Sequence, residues 1–346
     1  MAASSVSQNP VEAKTNDEGQ IETRKAFMEF SSSIPKRKGW LSEHLYQYQG
    51  SWYTKPKFEG LVSLQNHFKP QPTTVLLVSN PKSGTTWFKA LLFALMNRTG
   101  QYEDNSHPLL TKSPHECVPF LESYAYDNPT TPYPDLPLLA THVPYASLPE
   151  SLLTSDCRIV YVFRDPKDVF VSLWHFAGKR RPKKLPSLLL DEAFEMFCEG
   201  VSPYGPFWDH VLAYQKASLE CPERVLILQY EEMTRDPIVH AKRLAAFIGH
   251  PFSLEEERQG VIQRIVDMCS FEKLSSLEVN KSGVHHGGTP VAVQNSSYFR
   301  EGKVGDYKNL LTAEMIQRLD KITKDKFGKS GLSMNGLLDD YYHSTK

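Results

Sequence analysis

Ser79-Asn80-Pro81-Lys82-Ser83-Gly84-Thr85-Thr86-Trp87 follows the apolar, β-branched run Thr73-Thr74-Val75-Leu76-Leu77-Val78. That run predicts a buried parallel strand. Beyond the turn, Phe88-Lys89-Ala90-Leu91-Leu92-Phe93-Ala94-Leu95-Met96 is apolar on nearly every face. It predicts an interior helix closing near Gly100. Strand, short glycine-containing turn and helix together aim unpaired backbone N–H groups at whatever lies over the turn. The helix start adds about half a positive charge, and Lys82 adds a full one. Such a turn binds anions, phosphate-type groups above all.

The stretch is not the usual nucleotide-triphosphate loop, which needs Gly, four residues, then Gly-Lys-Ser/Thr with the hydroxyl on magnesium. Here the lysine precedes the only glycine of the turn. The formal net charge of -1 over 346 residues argues against a general nucleic-acid or membrane-surface binder. An anion site must therefore come from local clustering. Hydrophobic content of 40% and aromatic content of 11% suffice for a sizeable core, in one large α/β domain or two small ones. Cys117, Cys157, Cys198, Cys221 and Cys269 are widely spaced, without a Cys-x-x-Cys pair, and read as reduced cytosolic thiols. No run approaches a membrane span, and the N-terminal stretch lacks the apolar core of a signal peptide. Residues 1–24 read as a disordered arm and 25–340 as a single domain.

Strands are predicted at Val75–Ser79, Leu138–Thr141, Arg158–Phe163 and Arg224–Gln229, followed by helices at 85–98, 148–153, 166–176 and 236–248. Their alternation implies a mostly parallel sheet with helices on both faces, and ligands at the C-terminal strand ends. Ile34–Trp40 and Tyr46–Tyr53 form an aromatic-rich lead-in. Pro129–Pro134 reads as a loop, and Lys281–Ser297 as a long mobile one.

A second constellation, Arg164-Asp165-Pro166-Lys167-Asp168-Val169-Phe170-Val171-Ser172, closes the strand ending at Phe163. Asp165 suits the N-cap and Pro166 the first helical position. Arg164 then meets the ligand edge with Ser172 two turns along the helix, and an arginine and a hydroxyl there can grip a phosphate. Taken alone, the same pattern is an ordinary capped helix with a surface arginine. A third piece is Tyr298-Phe299-Arg300-Glu301-Gly302-Lys303-Val304-Gly305-Asp306-Tyr307.

These three pieces, in this order, resemble the cytosolic sulfotransferases, and the plant flavonol-sulfotransferase branch in particular, from about residue 30 to 335. The resemblance implies a P-loop-like three-layer fold. It also implies transfer of a sulfuryl group from 3′-phosphoadenosine 5′-phosphosulfate (PAPS), leaving PAP, to a small hydroxylated acceptor. By that match Lys82, Ser83, Gly84, Thr85 and Thr86 hold the phosphosulfate, and Arg164, Ser172, Arg300 and Gly302 meet the 3′-phosphate. Trp87, Tyr230, Ser270, Phe271 and Phe299 surround the nucleoside. Ser172 is also implied to restrain Lys82 until the acceptor binds. Glu301 and Tyr307 depart from the family's lysine and tryptophan. The glutamate sets a negative charge beside the implied phosphate.

His142, at the end of the strand Leu138–Thr141, suits general-base work near neutral pH. It matches the family's Thr-His-x-Pro histidine, although Ala140 stands where some relatives have lysine. Lys82, with the loop N–H groups, suits the charge that grows on a leaving phosphate oxygen. Positioning and electrostatics suffice for this chemistry, so no metal is required. Phe120, Tyr124, Tyr145 and Phe176 suggest an aromatic acceptor pocket that favours a flat hydrophobic alcohol or phenol, and the resemblance implies a flavonol, steroid, hydroxy acid or desulfoglucosinolate as acceptor. His175 is a further candidate lining residue, and His285-His286 sit in the loop without metal partners. Lys179–Lys184 reads as a basic loop that steers a polyanion. A catalytically weak PAPS- or PAP-binding protein and a nucleotide kinase are the rival functions. The expected state is a cytoplasmic monomer with neither nucleic acid nor membrane as partner.

Overall fold

The computed structural model describes residues 33–98, 106–128, 133, 136–285 and 292–332. Most of Pro129–Pro134, the arm 1–24 and His286 lie outside the described residues. Four strands, β4 (Val75–Ser79), β5 (Leu138–Thr141), β6 (Arg158–Phe163) and β7 (Val225–Gln229), form a parallel sheet in the order β5-β4-β6-β7. Every residue of β4 is buried, as its unbroken apolar run requires for a central strand covered on both faces. Alternate side chains feed two cores. Leu76, Val78, Ile159 and Tyr161 enter one, and Val75, Leu77, Val160 and Val162 the other.

The first core is closed by α1 (Lys55–His67), α4 (Pro166–Arg180), α5 (Phe207–Glu220) and α7 (Ala313–Phe327), and the second by α2 (Thr85–Met96) and α6 (Pro237–Phe247). The result is a helix–sheet–helix sandwich. From β4 the chain pairs first with β5 on one side, then crosses to β6 on the other. The β4–α2 turn therefore sits where the strand order reverses, the crevice in which open α/β sheets hold ligands.

Helix bounds differ modestly from the sequence expectation. Helix α2 stops at Met96, where the Asn97 side chain caps the Phe93 carbonyl at 2.8 Å, before Gly100 is reached. Helix α4 runs on to Arg180 because Lys179 and Arg180 suit its C-terminal dipole. The lead-in is a three-stranded antiparallel sheet of β1 (Lys36–Lys38), β2 (His44–Tyr48) and β3 (Ser51–Tyr53). The supposed long loop after Lys281 is partly built. Val284–His285 pairs with Val293–Gln294, and a 3₁₀ turn follows at Asn295–Tyr298. All five cysteines are free thiols.

Leu92, on α2, is completely buried, whereas Leu219, near the end of α5, is 71% exposed. Leu92→Ala should therefore cost about 2–5 kcal/mol. Leu219→Ala should stay within about 0.5 kcal/mol. Urea unfolding midpoints of the two variants check both.

Candidate active site

The turn after β4 carries an unusual backbone. Lys82 has φ +73° and Gly84 φ +100°. A left-handed conformation at a non-glycine residue costs of order 1–3 kcal/mol and clusters at functional sites. Glycine is needed at 84 on two counts, because a Cβ there would also sit 2.6 Å from the Tyr230 ring. The Ser79 and Thr85 hydroxyls share a hydrogen bond of 2.6 Å across the turn. The Ser83 N–H donates to the Asn80 carbonyl at 3.3 Å. Ser83, fully buried, thus braces the turn from inside, while Lys82, Gly84, Thr85, Thr86 and Trp87 line a cavity of about 610 Å³. The expectation that the Ser83 N–H faces the ligand is corrected accordingly.

Positive charge concentrates on this cavity. The Lys82 ammonium lies 4.1 Å from the Phe176 ring centroid. Burial, then Arg300, Arg164, Lys179 and Arg180 in turn, pull its pKa from 10.5 to about 7. Arg164 packs over the Tyr230 ring at 4.6 Å and donates to Asp168 at 3.0 Å and to the Lys303 carbonyl at 2.5 Å. The Asp168 carboxylate also accepts from Gly305 N at 2.8 Å and Tyr307 N at 3.1 Å. One buried carboxylate therefore staples the C-terminal segment to the start of α4. Arg300 is oriented by Asp306 at 2.6 Å. Among the described residues, Arg164 Nε, Arg300 Nε, Ser83 Oγ and Asn80 Nδ2 are buried without a hydrogen-bond partner. Such orphaned donors are rare, and an anion lying along the turn would offer acceptors to the two arginines.

Helix α4 is capped as its sequence implies, the Asp165 side chain accepting from Lys167 N at 2.8 Å. Ser172 lines the same cavity as Lys82, but among the described residues no hydrogen bond joins the two. Tyr230, Ser270, Phe271, Phe299, Arg300 and Gly302 also line it. Trp87 meets Tyr230 edge-on at 5.5 Å, and Phe271 lies 6.1 Å from Phe299. Gly302 is obligatory in its left-handed conformation, since a Cβ would strike Phe271 at 2.4 Å. Glu301 lines the lip and is exposed.

In the same cavity, beside the start of the turn, the His142 Nδ1 lies 2.6 Å from the Ser79 carbonyl. A carbonyl only accepts, so Nδ1 carries the hydrogen and Nε2 keeps the lone pair. Phe120 and Tyr204 pack on the ring at 4.6 and 5.3 Å. Burial pulls its pKa from 6.5 to about 4, against the opposing pull of Glu122. Glu122 is completely buried and accepts from Thr141 Oγ1 at 2.8 Å, Tyr204 OH at 2.8 Å and His142 N at 3.2 Å. His142 is thus held by its backbone and its ring together.

Phe120 and Phe176 line the cavity as expected. Tyr124 and Tyr145 do not. Tyr124 packs on Tyr133 at 5.7 Å, and Tyr145 on Tyr214 at 5.3 Å, behind the strand end. His175 faces the far side of Lys82 beside Lys179 and Arg300. Residues that the sequence did not single out complete the walls: Lys57, Glu122, Tyr204 and Tyr298. Only Tyr204 offered a local cue, a tyrosine between Pro203 and Gly205, and the structure gives it φ +62°.

Residues 72–331 match the family model described as a sulfotransferase domain. The chain is 45% identical over 314 residues to cytosolic sulfotransferase 16 of Arabidopsis thaliana, spanning 90% of this chain and 93% of that one. It is 47% identical over 295 residues to flavonol 3-sulfotransferase of Flaveria bidentis, covering 83% and 92% respectively. Among solved structures, it resembles a putative steroid sulphotransferase of Arabidopsis thaliana with TM-score 0.69 and 38% identity, over 88% and 94% of the two chains. A mouse sulfotransferase complexed with PAP matches with TM-score 0.66 and 26% identity, over 87% and 99%.

The depressed Lys82 is directly measurable. With reductively methylated protein, ¹³C NMR should show one lysine titrating near pH 7, the value that burial and its cationic neighbours impose. Arg300→Ala should move that midpoint upward, because removing a like charge favours the ammonium. A midpoint unmoved from the ordinary lysine range would contradict the crowding.

Proposed function

Since the chain belongs to the sulfotransferase family, we propose that it moves the sulfuryl group of PAPS to a hydroxyl of a small hydrophobic acceptor, with His142 as base and Lys82 at the leaving phosphate. The Ser79–His142 hydrogen bond carries this reading. Ser79 ends the strand that launches the anion turn, so one carbonyl couples the base to the phosphate cradle. PAPS supplies the sulfuryl group on a phosphate leaving group.

The chain's own residues supply the rest. His142 Nε2 takes the acceptor's proton as its oxygen becomes the nucleophile. Lys82 and the N–H groups of Gly84, Thr85 and Thr86 stabilise the charge that gathers on the departing phosphate oxygen, as an oxyanion hole does. Binding through that charge also restores the ammonium of Lys82, whose proton the cationic cluster otherwise loosens. Arg164, Arg300, Ser172 and Gly302 suit the 3′-phosphate, and the orphaned arginine Nε atoms support that assignment. Trp87, Tyr230, Phe271 and Phe299 suit the adenosine, with Ser270 alongside. Glu301 is exposed, and at physiological salt its charge is screened within a Debye length of about 8 Å. Weak donor binding is therefore not favoured over catalysis.

The acceptor faces Phe120, Phe176, Tyr204 and Tyr298, an aromatic enclosure suited to a flat hydroxylated compound. A cavity of this size matches small-molecule sites generally. Among the described residues no helix is long and apolar enough to cross a membrane, and action in the cytosol is proposed from the cytosolic relatives.

Incubating the protein with PAPS and a panel of phenols tests the reading through sulfated product. His142→Ala should cost roughly 10²–10⁴ in kcat, and more acidic phenols should recover part of it. The pH profile adds an independent check. A histidine whose pKa falls to about 4 is already an unprotonated base above that pH. At saturating donor, kcat should therefore stay level from about pH 5 to 7 and fall only as pH approaches 4. A decline centred near pH 6.5, the ordinary histidine value, would remove His142 from the role.

A further inference from the structure

Lys89 is completely buried, at 0% accessibility, on α2. No carboxylate lies within ion-pair distance of it among the described residues. Lysines are almost never buried this way unless paired, and burying an unpaired charge is costly. Its Nζ donates to the Val118 carbonyl at 2.7 Å, lies 3.3 Å from the Phe120 ring centroid, and reaches His115 Nδ1 at 3.2 Å. Across the same imidazole, Nε2 is 3.1 Å from Thr86 Oγ1. His115 is itself buried, with Tyr298 packed on its ring at 3.9 Å. Three side chains thus form a continuous line from the protein interior to the anion turn.

The direction of the line follows from its inner end. The Phe120 ring face, so close to Nζ, favours a cation. An ammonium has only donors, so His115 Nδ1 accepts and Nε2 carries the hydrogen. The Nε2–H then donates to the Thr86 oxygen, and the single Thr86 hydroxyl hydrogen is free to turn into the cavity. A neutral amine could run the line backwards, with the Thr86 proton turned toward His115. Burial does push the Lys89 pKa well below its ordinary value, while Glu122 pulls it back. His115 is held neutral by burial and by Lys89, as an imidazole that passes one hydrogen bond to the next must be.

We propose that Lys89 and His115 are positioning residues that orient the Thr86 O–H toward the phosphosulfate end of the donor, giving the leaving group a charge-backed donor besides Lys82. The proposal rests on the sulfuryl-transfer reading above. It assigns a purpose to a buried lysine that neither holds the fold by an ion pair nor touches the reacting atoms.

Two measurements test it. In wild-type protein with selectively labelled histidine, ¹⁵N NMR in the presence of PAP should show His115 protonated at Nε2 and bare at Nδ1. The opposite tautomer would overturn the proposal without any variant having to fold. In kinetics at saturating PAPS and acceptor, Thr86→Val, His115→Ala and Lys89→Met should each lower kcat by roughly tenfold or more, as loss of an oriented donor to a leaving group does. The Thr86→Val/His115→Ala double variant should be no slower than Thr86→Val alone, because His115 acts only through that hydroxyl. His115→Gln, which retains an N–H donor on that side, should recover part of the loss. Additive losses, or a His115→Ala enzyme with wild-type kcat, would overturn the chain while sulfuryl transfer by the wild type stood. A wild type that neither bound PAP nor formed sulfated product would overturn both.

Discussion

Repulsion among cations that the fold forces together is the constraint on which the site depends. Lys82, Arg164 and Arg300 converge on the carboxyl ends of β4 and β6 in a chain whose net charge is only -1. Their mutual cost shows in Lys82, whose proton is loosened to about pH 7 by burial and by the two arginines. The same residue adopts a left-handed backbone that its side chain disfavours. Strain and like charge gathered at one turn are hard to explain as packing. The polyanionic donor proposed above would turn the repulsion into attraction and give the orphaned arginine donors their acceptors.

The surrounding structure serves to hold that cluster still. Asp168 neutralises part of Arg164 and also accepts from the Gly305 and Tyr307 N–H groups. Removing it would release the charge and the C-terminal segment together. Glu122 plays the matching part for His142, gripping its backbone while Ser79 grips its ring. Further back, Tyr214 donates to the Val143 carbonyl at 2.7 Å, and His210 Nε2 donates to the His142 carbonyl at 3.0 Å. His142 and the Lys82 turn are therefore fixed to neighbouring strands of one sheet, which sets their spacing by strand register rather than by mobile loops.

Much of this was legible because it is local. The runs forming β4, β5 and β6 are apolar but for one terminal polar residue each, and their observed bounds are those their patterns predict. The anion turn could be read from its glycine, its lysine and the helix behind it. The lead-in sheet was not legible, since β1 is Lys-Arg-Lys and wholly exposed, with no alternation to mark it. Lys89 was hidden inside an apolar helix, where a lysine reads as the solvent-facing member. Glu122 carries no motif in the sequence to set it apart from other acidic residues. Tyr124 and Tyr145 were misplaced because aromatic composition says nothing about which wall a ring faces. Those features arise only when α2, α3 (Leu121–Asp127) and the ends of β4 and β5 meet in space, which is information carried by tertiary packing and not by spacing.

The most direct test is a calorimetric titration of PAP beside adenosine 5′-phosphate, which differs from it by the 3′-phosphate alone. If Arg164, Arg300 and Ser172 hold that phosphate, its charged hydrogen bonds, worth about 1.5–3 kcal/mol each, should make PAP bind at least about tenfold more tightly. Equal affinities would mean that the cation cluster does not read the 3′-phosphate, and the donor site drawn here would be wrong.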